Sequence, residues 1–348
     1  MRDTTKTPQI QDRNLPNYKL RFVLLILAAL VCILVSFGVG RFSISLYDVI
    51  LIFLSHIFPI PETWDYAMYS VVINIRLPRI IAALLVGAAL STAGAAYQGI
   101  FQNPLVSPDI LGASAGAGFG AALAIYLSLG SGMITILAFV GGLIAVMVAY
   151  MVSRLTKGSA TLSMVLAGIL VGSLFSASIS YIKLVADTTD QLPEITYWLM
   201  GGLGGVTLND VLFAGIIIFL GILPIFLVRW RMNVLTLGED EAKSLGINTH
   251  RLRLMIIICA TLITAVAVSI SGVIGWVGLV IPHFCRMLFG YDYRKIIPAA
   301  IILGGGFLLL VDDFARNIST TEVPIGILTA FVGAPIFAYL LIMGGKRS

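Results

Sequence analysis

Charge is scarce in this chain. Asp, Glu, Lys and Arg make up 11% of its 348 residues, against about 25% in an average soluble domain. That shortage excludes an ordinary soluble fold. Cysteine and histidine are rarer still, with three of each. Cys32, Cys259 and Cys285 all lie in apolar runs, without CxxC or Cys/His spacing, which argues against both a disulfide framework and a zinc site. They read as buried packing residues. His283, in VIPHFCR, stands alone, and no metal or haem ligation is assigned to it. The alternating polarity of a β-barrel is missing. So is a G-x-x-x-x-G-K-[ST] loop: GGKRS at 344–348 lacks the first glycine, so the chain carries no ATP site of its own. No ionisable residue sits centrally in an apolar run, and Asp312 and Asp313 lie near the end of one. An ion-driven secondary carrier, the rival class, normally places a carboxylate or histidine at membrane depth. The net charge of +5 sits mostly in loops and calls for no nucleic acid.

What is present is apolar sequence in runs of membrane length. Hydrophobic residues reach 59% with a mean hydropathy of +1.01. Runs of about 20 residues are long enough to cross a bilayer as helices. The pattern predicts spans near 22–40, 80–98, 112–129, 133–152, 160–182, 209–228, 254–271, 273–289, 296–314 and 325–343. The fold class expected is therefore all-α, a polytopic membrane protein with ten transmembrane helices over 22–348. A polar, basic tail covers 1–21. LYDVILIFLSHIF (46–58) is too short to span and reads as an interfacial helix. YWLMGGLGGV (197–206), broken by glycines, reads as a partly inserted element that must be covered by protein. GASAGAGFGA (112–121) imitates a phosphate loop, but it opens an apolar run and carries small-xxx-small spacings suited to helix packing.

Lysine and arginine set the orientation. With the first residue inside, all but five of the 22 fall on the cytoplasmic side, as the positive-inside rule requires. Both termini are then cytoplasmic and the chain sits in the cell (inner, cytoplasmic) membrane. The exceptions are Arg41, Arg76, Arg79, Lys183 and Arg316, which face outward. Arg76 and Arg79 stand in INIRLPRIIAALLVGAAL (73–90), directly before a long apolar run. Long basic side chains at such a place commonly snorkel to lipid phosphates.

The largest cytoplasmic loop, about 229–253, contains NVLTLGEDEAKSLGINTH. A short helix is expected from Glu239 to Leu245, between Gly238 and Gly246. Acidic residues at its start and Lys243 near its end suit the helix dipole, and Gly246 occupies a C′ position. This is either a solvated loop helix or a docking helix for a cytosolic ATPase. A transporter without an internal energy source favours the second.

RLPRIIAALLVGAALSTAGAAYQGIFQNPLVSPDILGASAGAGFGA resembles the permeases of type II ABC importers, the family that takes up iron–siderophores, haem and vitamin B12. YWLMGGLGGV, LGEDEAKSLGI, GVIGWVGLVIPHFCRMLFG, LLLVDDFAR and EVPIGILTAFVGAPIFAYLL resemble its later blocks in the same order, from about residue 70 onward. The resemblance implies a ten-helix subunit working as a dimer, with a second permease of the same or similar sequence. Two cytosolic ABC ATPase subunits, which bind ATP and Mg, dock below, and an extracellular or periplasmic substrate-binding protein docks above. The permease binds no cofactor and has no catalytic site. The expected cargo is a metal chelate, an iron–siderophore first, cobalamin or haem next, and oxyanions such as molybdate after these. By the same resemblance Arg76, Arg79 and Arg316 receive acidic residues of the binding protein. Gly238, Glu239, Ala242, Leu245 and Gly246 contact the ATPase. Asn103 and Leu105 of QNPLVSPD, with Ala160 and Thr161 of GSATLS, form an inner gate.

Overall fold

The computed structural model describes residues 17–156 and 160–345, and among the described residues there are helices and turns but no strands. The first elements are α1 (Tyr18–Gly38), the short α2 (Leu46–Ser55) and α3 (Tyr66–Ser70). A π-turn (Val71–Arg76) leads into α4 (Leu77–Ile100). A 3₁₀ turn (Pro108–Leu111) precedes α5 (Ala113–Tyr126) and α6 (Ser131–Leu155). Then follow α7 (Ala160–Val185), α8 (Gln191–Met200), α9 (Leu208–Leu235) and α10 (Glu239–Ser244). The chain closes with α11 (Thr249–Ser271), α12 (Val277–Phe289), α13 (Tyr293–Asn317) and α14 (Ile325–Gly345).

Helix α4 is the axis of the bundle. Its most apolar window is 83% buried, against 17% for α1. The reason is its composition, LLVGAALSTAGAA, which lets neighbouring backbones close in. A Cβ on Gly94 would lie 1.8 Å from the Gly278 carbonyl oxygen of α12, and one on Gly87 would lie 2.2 Å from that of Gly304 in α13. At that range Ser91 Oγ donates to Ala300 O at 2.7 Å. Small residues serve this purpose in lipid, where no hydrophobic effect draws helices together. GASAGAGFGA does the same for α5: Gly116 meets Gly141 of α6 backbone to backbone. Large apolar side chains are instead exposed outside, among them Leu24, Leu27, Leu30, Val31 and Leu34 on α1 and Ile216, Phe219, Leu220 and Leu227 on α9. A surface so apolar suits hydrocarbon and not water.

Among the described residues, seven helices are long and apolar enough to cross a membrane: α1, the continuous Tyr66–Ile100, α6, α7, α9, α11 and α13. The three other expected spans coincide with α5, α12 and α14, whose described apolar lengths are shorter. Local chemistry explains two of them. Helix α5 starts where expected but ends early, at Tyr126, before Ser128 turns left-handed (φ 53°), and an unwound stretch ending at Trp276 (φ 71°) delays α12. The span expected to begin at residue 80 is preceded by an unforeseen extension of the same helix, back to Tyr66. Pro78 lacks an N–H and crowds the carbonyl four residues earlier, and the wider π-turn directly before it accommodates that defect. Short polar motifs start several helices. Ser45 accepts from Asp48 N at 3.1 Å to open α2, and Thr207 with Asp210 forms a capping box on α9.

Candidate functional site

Two regions carry the expected functional residues, one at each end of the bundle. The first gathers the start of α4, the end of α13, the end of α1 and the loop before α14. Arg79 donates through Nε to both Asp312 oxygens (3.0 and 3.1 Å) and through Nη2 to Oδ1 at 2.9 Å. Its Nη1 donates to both oxygens of Glu322, each at 2.9 Å. Arg316 reaches Asp312 from the other side, with Nε 3.2 Å from Oδ2, and pairs with Asp313. Ser36 of α1 closes the ring: its hydroxyl donates to Asp313 at 2.7 Å and accepts from Arg316 Nη2 at 2.9 Å. Arg76 donates to the carbonyls of Phe37 and Phe42, at and beyond the end of α1.

This placement revises the picture of free, outward-facing arginines. Arg76, Arg79 and Arg316 are only 3%, 5% and 7% exposed. The physical reason is the guanidinium fork, which satisfies several acceptors at once and here finds them inside the chain. Arg79 and Arg316 pair with the three carboxylates while Arg76 meets only backbone carbonyls, and the three arginines and three carboxylates together are neutral. Neither Asp312, Asp313 and Glu322 nor Ser36 was named as a partner by sequence reasoning. A signal existed: Asp312 and Arg316 stand four apart, which places them on one helix face. Among the described residues, Arg41 is the exposed cation of this end without a carboxylate partner; it donates to Ser319 O at 3.1 Å.

Beside the cluster lies a cavity of about 730 Å³. Arg79 and Glu322 border it, with Tyr197 and Trp198 of α8, the Gly201–Thr207 stretch and the end of α11. The glycine-broken segment 197–206 is thus a short helix and a loop, and Gly202 N donates to Ser271 O at 2.8 Å, so its backbone is partly covered by protein.

The second region is the opposite end, built on α10. The expected helix is present between Gly238 and Gly246. Gly246 adopts a left-handed φ of 77°. Its N–H reaches Lys243 O at 2.9 Å while Ile247 N–H reaches Ala242 O at 3.0 Å, the paired bonds of a Schellman cap. Glu239 pairs with Lys243 at 3.2 Å and with Arg253 of α11 at 3.3 Å. The hydrogen bond from Lys243, then the Arg253 charge, hold the Glu239 carboxyl below its ordinary pKa. Ala242, expected at the ATPase contact, is 0% exposed and packs into its own chain, while the consecutive acids Glu239, Asp240 and Glu241 before it are exposed. Leu245, also expected at that contact, is 63% exposed. Glu239 and Gly246 are exposed, and Gly238 is half-buried.

The inner-gate residues are only partly described. Asn103 and Leu105 are exposed in the turn after α4, where Leu105 N donates to Asn103 Oδ1 at 2.9 Å. The turn is anchored by Gln102 Nε2, which donates to Leu235 O at 2.6 Å. The side chains of Ala160 and Thr161, at the start of α7, lie outside the described residues. Among the described residues no group of His, Cys, Asp and Glu has the arrangement of a metal site.

Comparison with known proteins covers most of the chain. The model of the FecCD transport family matches residues 26–343. The molybdate import system permease protein MolB of Haemophilus influenzae is 37% identical over 325 residues, covering 93% of this chain and 95% of its own. A Helicobacter pylori permease named for iron chelatin transport is 42% identical over 271 residues, covering 78% of this chain and 82% of its own. A solved structure of an inward-facing, metal-chelate type ABC transporter superposes with a TM-score of 0.84 at 36% identity, covering 94% of this chain and all of that one. Both ends of the bundle, the arginine cluster and the capped α10, lie within the matched residues, and the chain belongs to the FecCD transport family of ABC transporter permeases.

Proposed function

We propose that this chain is the membrane subunit of a binding-protein-dependent importer that moves a metal chelate, an iron–siderophore first, into the cytoplasm. The observation that carries the reading is α10. A short helix with both ends fixed and a salt-bridged base presents an exposed Leu245 on the charged end of a bundle whose other helices are apolar. The sequence has no phosphate-binding loop, so an attached ATPase pair supplies the energy, with its own ATP and Mg. Closure of that pair pushes on α10, and α11 receives the push through the Glu239–Arg253 contact. Coupling of this kind requires the two transport states to differ in their ATPase contacts.

The rest of the assembly follows the same reading. Ten crossings put both termini on the cytoplasmic side, with the arginine cluster and the cavity outside, under a substrate-binding protein. A second permease, identical or similar, completes the pathway. The face of α7 that exposes Leu166, Leu170 and Leu174 also exposes Ser173 and Ser180. Their hydroxyls bond back to Ile169 O and Ser176 O. A face so mixed suits a partner helix and a polar path better than lipid. Asn103 and Leu105, with Ala160 and Thr161, would close that path on the inside.

The iron-chelatin relative and the metal-chelate type structure support the choice of cargo. The molybdate relative, alignable over nearly its whole length, supports an oxyanion as the second reading. Cobalamin and haem remain in the same class. The test is uptake into proteoliposomes holding the permease, its ATPase and its binding protein. Labelled ferric siderophore should accumulate in an ATP-dependent way. Accumulation of molybdate alone would replace the chelate by the oxyanion.

A further inference from the structure

We propose that Glu322 is an internal stand-in for a partner carboxylate: it occupies Arg79 in the resting permease, and an acidic side chain of the docking protein displaces it. The inference rests on the reading that an extracellular protein docks on this end. It differs from simple docking on free arginines, because the arginines are not free.

The geometry separates the two acids that hold Arg79. Asp312 is fully buried and shared with Arg316, so it has no room to leave. Glu322 belongs to the loop between α13 and α14, its side chain is 44% exposed, and it holds Arg79 through Nη1 alone. Arg79 and Glu322 border the 730 Å³ cavity together, so a side chain entering there meets this pair. Gly204 packs over it: a Cβ at 204 would lie 3.1 Å from Glu322 Oε2 and 3.8 Å from Arg79 Nη1. Charge completes the argument. With Glu322 in place the cluster is neutral, and with Glu322 withdrawn it carries one positive charge, held in position by Asp312. An incoming carboxylate restores neutrality. Among the described residues Arg79 is the one cation bordering the cavity, while Glu194 and Asp210 also border it. Their repulsion of an acidic visitor everywhere but at Arg79 would make the register of docking strict.

The exchange also moves a loop. Glu322 is two residues before Pro324, and Ile325 N donates to Gly201 O at 2.9 Å. Tyr197 of α8 donates to Glu322 O at 3.4 Å. Release of Glu322 therefore loosens the start of α14 and its tie to α8, the elements that flank the cavity.

The test uses the assembled transporter in nanodiscs and its cognate substrate-binding protein. Glu322→Gln keeps the size of the side chain and removes the competing charge. Docking to Glu322→Gln is expected to be about two- to fivefold tighter than to wild type at low salt, the range of an exposed ion pair, with the gain erased in high salt. Adding Arg79→Gln should abolish the gain. Unchanged or weaker docking to Glu322→Gln overturns the exchange while leaving docking intact; absence of docking to the wild type overturns the docking reading itself. A partner-free measurement keeps the two apart. Ile325, 1% exposed, is replaced by Cys, and alkylation by a membrane-impermeant maleimide is followed with the three native cysteines buried. Labelling should be severalfold faster with Glu322→Gln than with Glu322 present, and equal rates overturn the latch.

Discussion

Arg79 and Asp312 are 233 positions apart in the chain and meet through three contacts of 2.9 to 3.1 Å. The pair ties the start of α4, the buried axis, to the end of α13, and Arg316 shares the same carboxylate. Breaking a buried pair by removing one partner is costly because it strands the other charge. Asp312→Ala strands two guanidinium groups at once. It is expected to cost about 3–5 kcal/mol, read as a lower thermal unfolding midpoint in detergent. Arg79→Ala with Asp312→Ala should cost clearly less than the sum of the single changes, since the two residues act as one unit. Additive losses would show that the arginine does not depend on this acid.

The helix crossing beneath that pair makes a separate demand. A Cβ on Gly94 would lie 1.8 Å from Gly278 O, and what it meets is backbone, which cannot rotate aside. Gly94→Ala should therefore force α4 and α12 apart and sharply reduce the yield of monodisperse protein. Gly132 has open space around it, so Gly132→Ala should leave the yield unchanged. Size-exclusion profiles of the two variants compare them directly.

How much of this was legible beforehand depends on the range of the interaction. The amphipathic α2, the glycine-broken segment after α8 and the cap at Gly246 are local, and residue order within a few positions determines them. Even Gly246, singled out as a C′ glycine by its place after an acidic-to-basic run, takes the left-handed backbone that the position requires. The shortening of α5 and α12 was not legible, because hydropathy does not register a backbone turned by Ser128 or by Trp276 at positive φ. The arginine cluster was legible only in part. Arg76, Arg79 and Arg316 stand out as cations on the side that topology disfavours. Nothing in the order of residues says that Ser36, from the first helix, and Glu322, from the last loop, close on them. The inward turn of Ala242 was missed for a similar reason: a six-residue helix is too short for its pattern to show which side is covered.

Glu239 gives α10 a pH dependence with a defined sign. Its carboxyl is held below the ordinary value by the hydrogen bond from Lys243 and then by the charge of Arg253. A depressed carboxyl contributes stability that is present in full above the unfolded value, about 4.3 for glutamate, and is lost as pH falls through the lower folded value. The loop should thus be protected at neutral pH and open locally in acid. Amide hydrogen exchange over 238–247 checks this, with Glu239→Gln raising exchange at pH 7 and leaving little further change on acidification. Because Glu239 and Lys243 are both about half exposed, the effect should remain local and leave the midpoint of global unfolding unmoved.

The exposed face of α10 gives the most direct test of energy coupling. Ala242 is enclosed by its own chain, so a bulky residue there would disturb the fold of the loop and could not isolate the ATPase contact. Leu245 is the better probe: it is 63% exposed, and its own N–H is held by Glu241 O at 3.2 Å whatever the side chain. Leu245, with Leu237 also 56% exposed just before the helix, offers apolar surface to a partner at the end of a capped helix. Leu245→Asp is expected to leave the helix cap, membrane insertion and docking of the extracellular protein intact, while lowering permease-stimulated ATP hydrolysis and uptake at least tenfold, about 1.4 kcal/mol or more of lost contact. Leu245→Met, close in volume, should retain most of both activities. Normal uptake by Leu245→Asp in proteoliposomes, with the ATPase still bound, would place the coupling contact elsewhere on this end of the bundle.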